Sequence, residues 1–314
     1  MGGKQTPEWL TADAGGIAGA VELLRSGELV AVPTETVYGL AARADSEAAV
    51  AGIYRAKGRP DFNPLIVHVA SLEMARRLAV FDERAEALAT RFWPGPLTLV
   101  LPVAVASPVV PAVTAGLATI ALRMPDHAAM QELLRELDVP VAAPSANRSG
   151  SVSPTTPQHV AESLGSAISA ILDGGACPRG LESTIVALRD DESWQLLRHG
   201  PITEAELAAL LGPPKPLADA RIEAPGQLAQ HYSPGKPVRL AAERAETDEF
   251  LIGFGPIEGD CTLSETGDLA LAAARLYACL HQAAASDRAR VAVAPVPDEG
   301  IGAAINDRLR RAAA

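Results

Sequence analysis

Only 4% of the residues are aromatic, and only three are cysteine: Cys177, Cys261 and Cys279. An odd count without a CxxC spacing fits neither a disulfide framework nor a zinc ribbon, so three reduced and mostly buried thiols are expected. No run of about 18 uninterrupted apolar residues is present. Met1 to Asp13 has no apolar core of signal-peptide length. The chain therefore reads as neither secreted nor membrane-spanning, and a cytoplasmic location is expected. There is no GxxxxGK(S/T) phosphate loop, no HExxH pair and no clustered His/Cys spacing, so no protein-held metal is expected. Gly253, Gly255 and Gly259 approach a GxGxxG fingerprint but miss its spacing, and Pro256 interrupts the turn. Basic charge is also short: 27 Lys and Arg stand against 38 Asp and Glu, a net charge of −11. Nucleic-acid binders usually carry a basic face, and single-strand binders need aromatic stacking platforms. What these absences leave open is a local basic pocket inside an acidic shell, suited to a small anionic ligand.

The rest of the composition, 48% apolar and 21% charged, is that of a globular protein. At 314 residues the chain exceeds the roughly 250–300 at which one core stops growing, so two domains are expected. Short β-like runs alternate with Ala-rich helical patterns, an α/β arrangement. Ala14 to Ser26 reads as a helix capped by Asp13 and closed by Gly27, and Ser46 to Ala56 as another. Leu29 to Val32, Leu65 to Val69, Leu97 to Leu101, Thr119 to Leu122, Val139 to Ala143 and Ser183 to Leu188 read as strands. From Gly212 to Pro237, six prolines punctuate a stretch without periodicity, which reads as a stiff linker. Strand Phe250–Phe254, helix Leu269–Ala284, strand Arg290–Ala294 and helix Ile301–Arg311 then form a second unit. The expected boundaries are 1–212, 213–236 and 237–314.

Several segments carry side chains suited to chemistry. Pro33 to Leu40 (PTETVYGL) follows a strand and places a hydroxyl- and carboxylate-bearing turn before an expected helix. Thr34 reads either as that helix's N-cap or as a ligand contact at a strand exit, where open α/β sheets bind ligands. In Lys57-Gly58-Arg59-Pro60, Gly58 ends the preceding helix and Pro60 prevents its continuation. On an extended chain Lys57 and Arg59 would point the same way and converge on one anion, a point charge beside a planar fork. Two solvated charges at a helix end are the plain alternative. Asn63 follows, and His68 sits inside an apolar run, either as a satisfied core group or as a neutral imidazole orienting a small polar substrate. Thr119 and Arg123 bracket another strand, with Arg123 placed for a carboxylate or an ordinary ion pair. Ser145 and Asn147, again two apart at a strand exit, can donate to phosphate without bringing charge, although such turns are common.

Together, Pro33 to Leu40, Lys57-Gly58-Arg59, Asn63 to His68 and Ser145-Ala146-Asn147 resemble the YrdC/Sua5 family, whose signature couples Lys-x-Arg to a distant Ser-x-Asn. The resemblance continues through Leu181 to Ile185, Arg198 to Gly200, Pro225-Gly226 and His231 to Pro234. Pro295 to Leu309 resembles the extra C-terminal domain of the longer, Sua5-type members. The resemblance implies an open twisted α/β sheet around a central basic cavity, plus a smaller Rossmann-like C-terminal domain. It implies an L-threonylcarbamoyladenylate synthase activity, condensing L-threonine, bicarbonate and ATP into threonylcarbamoyl-AMP with release of pyrophosphate. That product would pass to a tRNA threonylcarbamoyltransferase modifying adenosine 37 (t6A37), with weak or indirect tRNA contact by this chain.

Carried over position by position, Thr36, His68, Arg123 and Ser183 are implied threonine contacts. Arg59, Asn63, Thr119, Ser145, Asn147, Ser153, Arg198 and Tyr232 are implied nucleotide contacts, and Lys57 and Arg59 the catalytic charges. Mg²⁺ bound with ATP is the implied cofactor. Tyr232 lies in the linker, which would then fold over the nucleotide as a lid. Gln227-Leu228-Ala229-Gln230 departs from the Lys or aromatic residue that many family linkers carry before His-Tyr. Two rival readings keep the cavity and change its use. One is carbamoyl-AMP chemistry, as in related hydrogenase-maturation domains, but this chain lacks their acylphosphatase and zinc-finger extensions. The other is an RNA site, which the acidic charge and few aromatics oppose.

Overall fold

The computed structural model describes residues 6–216, 223–227 and 231–314. Among them the chain runs β1 (Glu8–Thr11), α1 (Ala14–Arg25), β2 (Val30–Val32), β3 (Gly39–Arg43), α2 (Glu47–Lys57), β4 (Ile66–His68), α3 (Leu72–Leu78), α4 (Glu83–Phe92), β5 (Leu97–Pro102), α5 (Pro111–Thr114), β6 (Thr119–Arg123), α6 (Ala128–Leu137) and β7 (Val141–Ala142). It continues with α7 (Pro157–Leu164), β8 (Ala170–Asp173), β9 (Thr184–Leu188), β10 (Trp194–Arg198) and α8 (Glu204–Leu211). After the linker come β11 (Val238–Arg239), β12 (Glu249–Gly253), β13 (Cys261–Thr262), α9 (Leu269–Ala285), β14 (Arg290–Val293) and α10 (Ile301–Ala312).

Helices begin where a short polar side chain accepts from free backbone amides. Asp13 accepts from the Gly16 amide at 2.9 Å, Ser46 caps α2, and Thr203 with Glu206 forms a full capping box on α8. Helix α2 ends at Gly58, whose φ of 60° is the left-handed conformation that glycine adopts without steric penalty.

The first ten strands form one mixed sheet in the order β1-β8-β2-β3-β7-β4-β6-β5-β9-β10. Strands β4 and β6 are parallel, while β2–β3, β3–β7 and β5–β6 are antiparallel. The last four form a wholly parallel sheet, β11-β14-β12-β13, on which α9 and α10 pack, the Rossmann-like arrangement expected. The apolar core of this second unit (Ile252, Leu276, Leu280, Ile305) is continuous with Val37, Val152, Leu181 and Tyr232. The two units are thus joined by buried apolar surface and not only by the linker. Among the described residues no helix is long and apolar enough to cross a membrane.

Three expectations are corrected. The segment after Pro33 does not lead into a helix: Gly39–Arg43 is a strand, antiparallel to β2. Its residues are buried on both faces, so the alternation that marks a half-exposed strand is missing. Thr34 is accordingly no helix cap. Its Oγ1 accepts from the amides of Thr36 and Val37 at 3.1 and 3.2 Å and donates to the Val37 carbonyl, a hydroxyl-closed turn. The cysteines are not all reduced thiols: Cys261 and Cys279 form a disulfide, and only Cys177 is free and buried. They lie 18 residues apart, and the pairing of β13 beside β12 under α9 brings their Cα atoms to 5.9 Å. Gly253 and Gly259 serve close packing, since a Cβ at either would stand 2.2 or 2.4 Å from a backbone oxygen.

Candidate active site

Residues two apart on a strand share a face, so β4 and β6 turn Ile66, His68, Thr119, Ala121 and Arg123 to one side of the sheet. Onto that side close the turn after β2, the Ser145–Asn147 loop after β7, the Glu182-Ser183 approach to β9, and Arg198 at the end of β10. The linker residues Pro225, Gly226, His231 and Tyr232 complete the wall of a single cavity. Gly226 packs directly on the site: a Cβ there would meet the Arg198 side chain at 2.8 Å and the Tyr232 hydroxyl at 3.2 Å. With the linker in this position the free volume is about 40 Å³, room for a few water molecules and not for a nucleotide.

The electrostatics are set by buried cations. Arg123 donates through Nη2 to Glu35 at 2.6 Å, through Nη1 to the Thr36 hydroxyl at 2.9 Å and through Nε to the Gly95 carbonyl at 3.2 Å. Three of its five N–H groups are thereby committed, which fixes the fork's direction and leaves two for the cavity. Arg198 donates to the carbonyl and hydroxyl of Ser183, both at 3.0 Å, and to the Pro225 carbonyl at 3.3 Å. Ser183 is in turn 2.7 Å from the Thr98 hydroxyl. Arg59 donates to the carbonyls of Asn63 and Pro64 at 3.1 and 2.8 Å. Burial lowers its pKa to about 10, so it keeps its charge at neutral pH. Burial holds His68 and His231 down at about 3, with Arg123 adding to the effect on His68, so both imidazoles are neutral. Each leaves its Nδ1 without a partner, as do Oδ1 of Asn63 and Asn147 and one oxygen of Glu35.

Of the residues singled out in the sequence, Arg59, His68, Arg123, Ser145, Ser183, Arg198 and Tyr232 line this cavity, and Thr36 stands one hydrogen bond behind Arg123. Asn63 adjoins Arg59 through its carbonyl. Thr119 is half-buried on the same face of β6 as Arg123, about 13 Å along the strand at 3.3 Å per residue. Ser153 donates its hydroxyl to Glu182 at 2.5 Å. Lys57 and Arg59 do not converge as an extended pair, because the left-handed turn at Gly58 separates them. Lys57 is buried behind the Ser145–Asn147 loop, where Nζ donates to the carbonyls of Ser145 and Asn147, both at 2.5 Å. Burial, with Arg59 nearby, pushes its pKa well below the usual lysine value. Asn147 uses its amide nitrogen on the carbonyls of Arg148 and Ser151.

Sequence reasoning missed four groups. Glu35 orients Arg123, Glu182 and His231 line the cavity, and Arg308 of α10 binds Glu182 from the second unit. Glu35 sat in the quoted turn, and its only signal was a carboxylate beside two threonines. Residues 228–230, where the linker departs from the family pattern, lie outside the described residues.

Comparison with known proteins agrees with this architecture. A family model described as "Telomere recombination" (Sua5_yciO_yrdC) matches residues 22–200, and one described as "Threonylcarbamoyl-AMP synthase, C-terminal domain" (Sua5_C) matches residues 202–314. The threonylcarbamoyl-AMP synthase of Bacillus subtilis is 41% identical over 322 residues, covering 95% of this chain and 92% of that protein. The synthase of Vibrio vulnificus is 37% identical over 183 residues, covering 57% of this chain and 96% of that shorter protein. The crystal structure of Pyrococcus abyssi Sua5 complexed with L-threonine superposes with a TM-score of 0.88 at 36% identity, covering 98% of both chains. With both family models matched in order and one relative aligned almost end to end, the chain belongs to the Sua5/YrdC family, in its longer form with a Sua5 C-terminal domain.

Proposed function

We propose that this chain is an L-threonylcarbamoyladenylate synthase, making L-threonylcarbamoyl-AMP from L-threonine, bicarbonate and ATP and releasing pyrophosphate, the first step of t6A37 formation. The observation that carries this reading is the pre-oriented Arg123 fork at one end of a cavity whose other walls hold Arg59 and Arg198. The first suits an amino-acid carboxylate and the second pair a polyphosphate. Thr36, His68, Arg123 and Ser183 are assigned to threonine. Arg59, Asn63, Thr119, Ser145, Asn147, Ser153, Arg198 and Tyr232 are assigned to the nucleotide, with Ser153 acting through Glu182. Residues 1–212 would be the catalytic domain, 213–236 the linker and lid, and 237–314 the C-terminal domain.

In this reading the threonine amine combines with bicarbonate to give the carbamate and water. The carbamate oxygen then attacks the α-phosphorus, and the bond to the bridging oxygen breaks as pyrophosphate leaves. No protein nucleophile is needed. Arg59 and Arg198 stabilise charge on the phosphates, while neutral His68 and His231 offer polar contacts without competing for them. Among the described residues no group of three or more His, Cys, Asp or Glu could hold a metal, so Mg²⁺ would enter as the MgATP substrate. Bound with the nucleotide, the ion would neutralise phosphate charge beside Arg59 and Arg198. The linker would have to move outward to admit ATP, and closing again over bound substrates it would exclude water from a labile carbamate and mixed anhydride. The product would pass to a tRNA threonylcarbamoyltransferase, with weak or indirect tRNA contact here.

The test is to incubate the protein with MgATP, L-threonine and labelled bicarbonate, omitting each in turn. Pyrophosphate release that needs both threonine and bicarbonate, with labelled threonylcarbamoyl-AMP as product, is expected. ATP turnover indifferent to threonine would refute the assignment. A second expectation concerns Arg123→Lys. A lysine has three N–H groups on one point and cannot serve Glu35, Thr36, Gly95 and a substrate carboxylate together. Loss of one charge-assisted hydrogen bond, about 1.5–3 kcal/mol, should raise the KM for threonine roughly tenfold to a hundredfold. The KM for ATP should stay within about threefold. A shift in the ATP value instead would place the carboxylate elsewhere.

A further inference from the structure

We infer that Arg308, on the last helix of the C-terminal domain, is a positioning residue for the nucleotide end of the cavity. It seats the linker residue Tyr232 and neutralises Glu182, and in this way the C-terminal domain completes the active site. The inference rests on the nucleotide-binding reading above and extends it to a domain for which that reading assigns no task.

Arg308 is fully buried, whereas Arg310 and Arg311 on the same helix are exposed and half-buried. Its Nε donates to Glu182 at 3.0 Å, Nη2 to the His199 carbonyl at 2.9 Å and Nη1 to Asp307 at 2.7 Å. These bonds hold the guanidinium 5.3 Å from the centre of the Tyr232 ring, within cation–π range. Tyr277, from α9 of the same domain, stacks on Tyr232 at 5.5 Å and 25° and donates its hydroxyl to Glu182 at 2.7 Å. Two side chains of the C-terminal domain thus meet one linker ring and one carboxylate of the catalytic domain.

Two consequences follow from the chemistry. Tyr232 has φ of 64°, a left-handed backbone that a bulky residue keeps only where its surroundings over-determine it. Its ring contacts with Arg308, Tyr277 and His231 supply that constraint. Without them the backbone is expected to relax and carry the tyrosine off the cavity. Glu182 itself lines the cavity, beside Ser183 and Arg198. A bare carboxylate there would repel a polyphosphate, and Arg308 cancels its charge from behind while leaving Arg59 and Arg198 facing the ligand.

The test uses the full chain with Arg308→Ala, Tyr277→Phe, Tyr232→Ala and the double variant Arg308→Ala/Tyr232→Ala. Binding of a non-hydrolysable ATP analogue and of threonine is measured by calorimetry, and backbone exchange at 223–227 and 231–236 by hydrogen–deuterium exchange. Arg308→Ala should weaken the analogue at least tenfold, keep threonine within about threefold and speed exchange at 231–236. Tyr277→Phe, which keeps the ring and loses one hydroxyl, should show the same pattern at a few-fold. In the Tyr232→Ala background the further loss from Arg308→Ala should shrink to about threefold, because much of its effect passes through that ring. Equal losses of threonine and analogue, or full additivity in the double variant, would mean that Arg308 only supports the fold and would overturn the inference. The wild type separates this outcome from failure of the function. A wild type that binds the analogue with a protected linker but makes no threonylcarbamoyl-AMP refutes the reaction and leaves the seat standing. A productive wild type matched by Arg308→Ala in nucleotide affinity and linker exchange refutes the seat alone.

Discussion

Replacing Lys57 by methionine is expected to cut pyrophosphate release by about a hundredfold or more and to lower the melting temperature by roughly 5–15 °C. The reason is that Lys57 does not line the cavity. It is 3% exposed, and its Nζ is the hydrogen-bond donor to the carbonyls of Ser145 and Asn147. Methionine fills similar volume but donates nothing, and each buried carbonyl left without a partner costs about 1–3 kcal/mol. The loop that places Ser145 in the cavity wall and holds Asn147 buried behind it would lose its tie to the end of α2. Activity and stability should therefore fall together. Arg59→Ala makes the contrast. Arg59 lines the cavity, so water can enter the space it leaves and solvate the carbonyls of Asn63 and Pro64. Its loss should raise the KM for ATP strongly while the melting temperature moves by only a few degrees. Calorimetric melting beside a pyrophosphate assay decides between them. If Lys57→Met melts like the wild type and shows only weakened ATP use, the lysine faces the phosphates directly and the tie is not its main task.

That division between neighbouring cations shows where the sequence was legible. Local order was: Asp13 as a cap, the helix beginning at Ser46, Gly58 as a helix stop, and the partly β-branched runs at Leu97 and Thr119 all follow from side-chain chemistry within a few positions. Strand β3 was not, because Gly-Leu-Ala-Ala-Arg has no alternation and is a strand only through its partners β2 and β7. The four-residue strands β8 and β1 were missed for the same reason, pairing with each other across 162 positions in register Glu8 to Ala170. The spacing of Lys57 and Arg59 and of Ser145 and Asn147 pointed to two loops that lie together in the fold, but not to the tie spanning 88 and 90 residues that joins them. Glu182 and Arg308 stand 126 residues apart and the two bonded cysteines meet through a two-residue strand, so neither pairing leaves a local trace. Long-range electrostatics was the part hidden from the sequence.

The network around Glu182 carries the other large expected effect. Ser153 donates to one carboxylate oxygen at 2.5 Å, while Tyr277 and Arg308 donate to the other at 2.7 and 3.0 Å. Burial on its own would raise this pKa, but Arg308 and Arg198 together with the two hydroxyls hold it at about 2. A glutamine at this position has one acceptor oxygen and turns an N–H group towards at least one donor. It also leaves Arg308 buried with Asp307 as its remaining carboxylate partner. Breaking a buried pair from one side costs about 3–5 kcal/mol, so Glu182→Gln should lower the melting temperature on the order of 10 °C. The pH dependence supplies the sharper reading. Since the folded pKa lies below the ordinary 4.5, the stabilisation is present above that value and is lost as pH falls towards about 2. Denaturant unfolding at about pH 7, 5 and 3 should show the wild type losing its advantage over Glu182→Gln on the acid side, with the two curves converging. Other paired carboxylates, such as Asp45 and Glu249, titrate alike in both proteins and cancel in the difference. Curves that stay parallel down to about pH 3 would mean that Glu182 is not ionised in the folded chain, and that Arg308 draws its hold on the linker from Tyr232 and His199 alone.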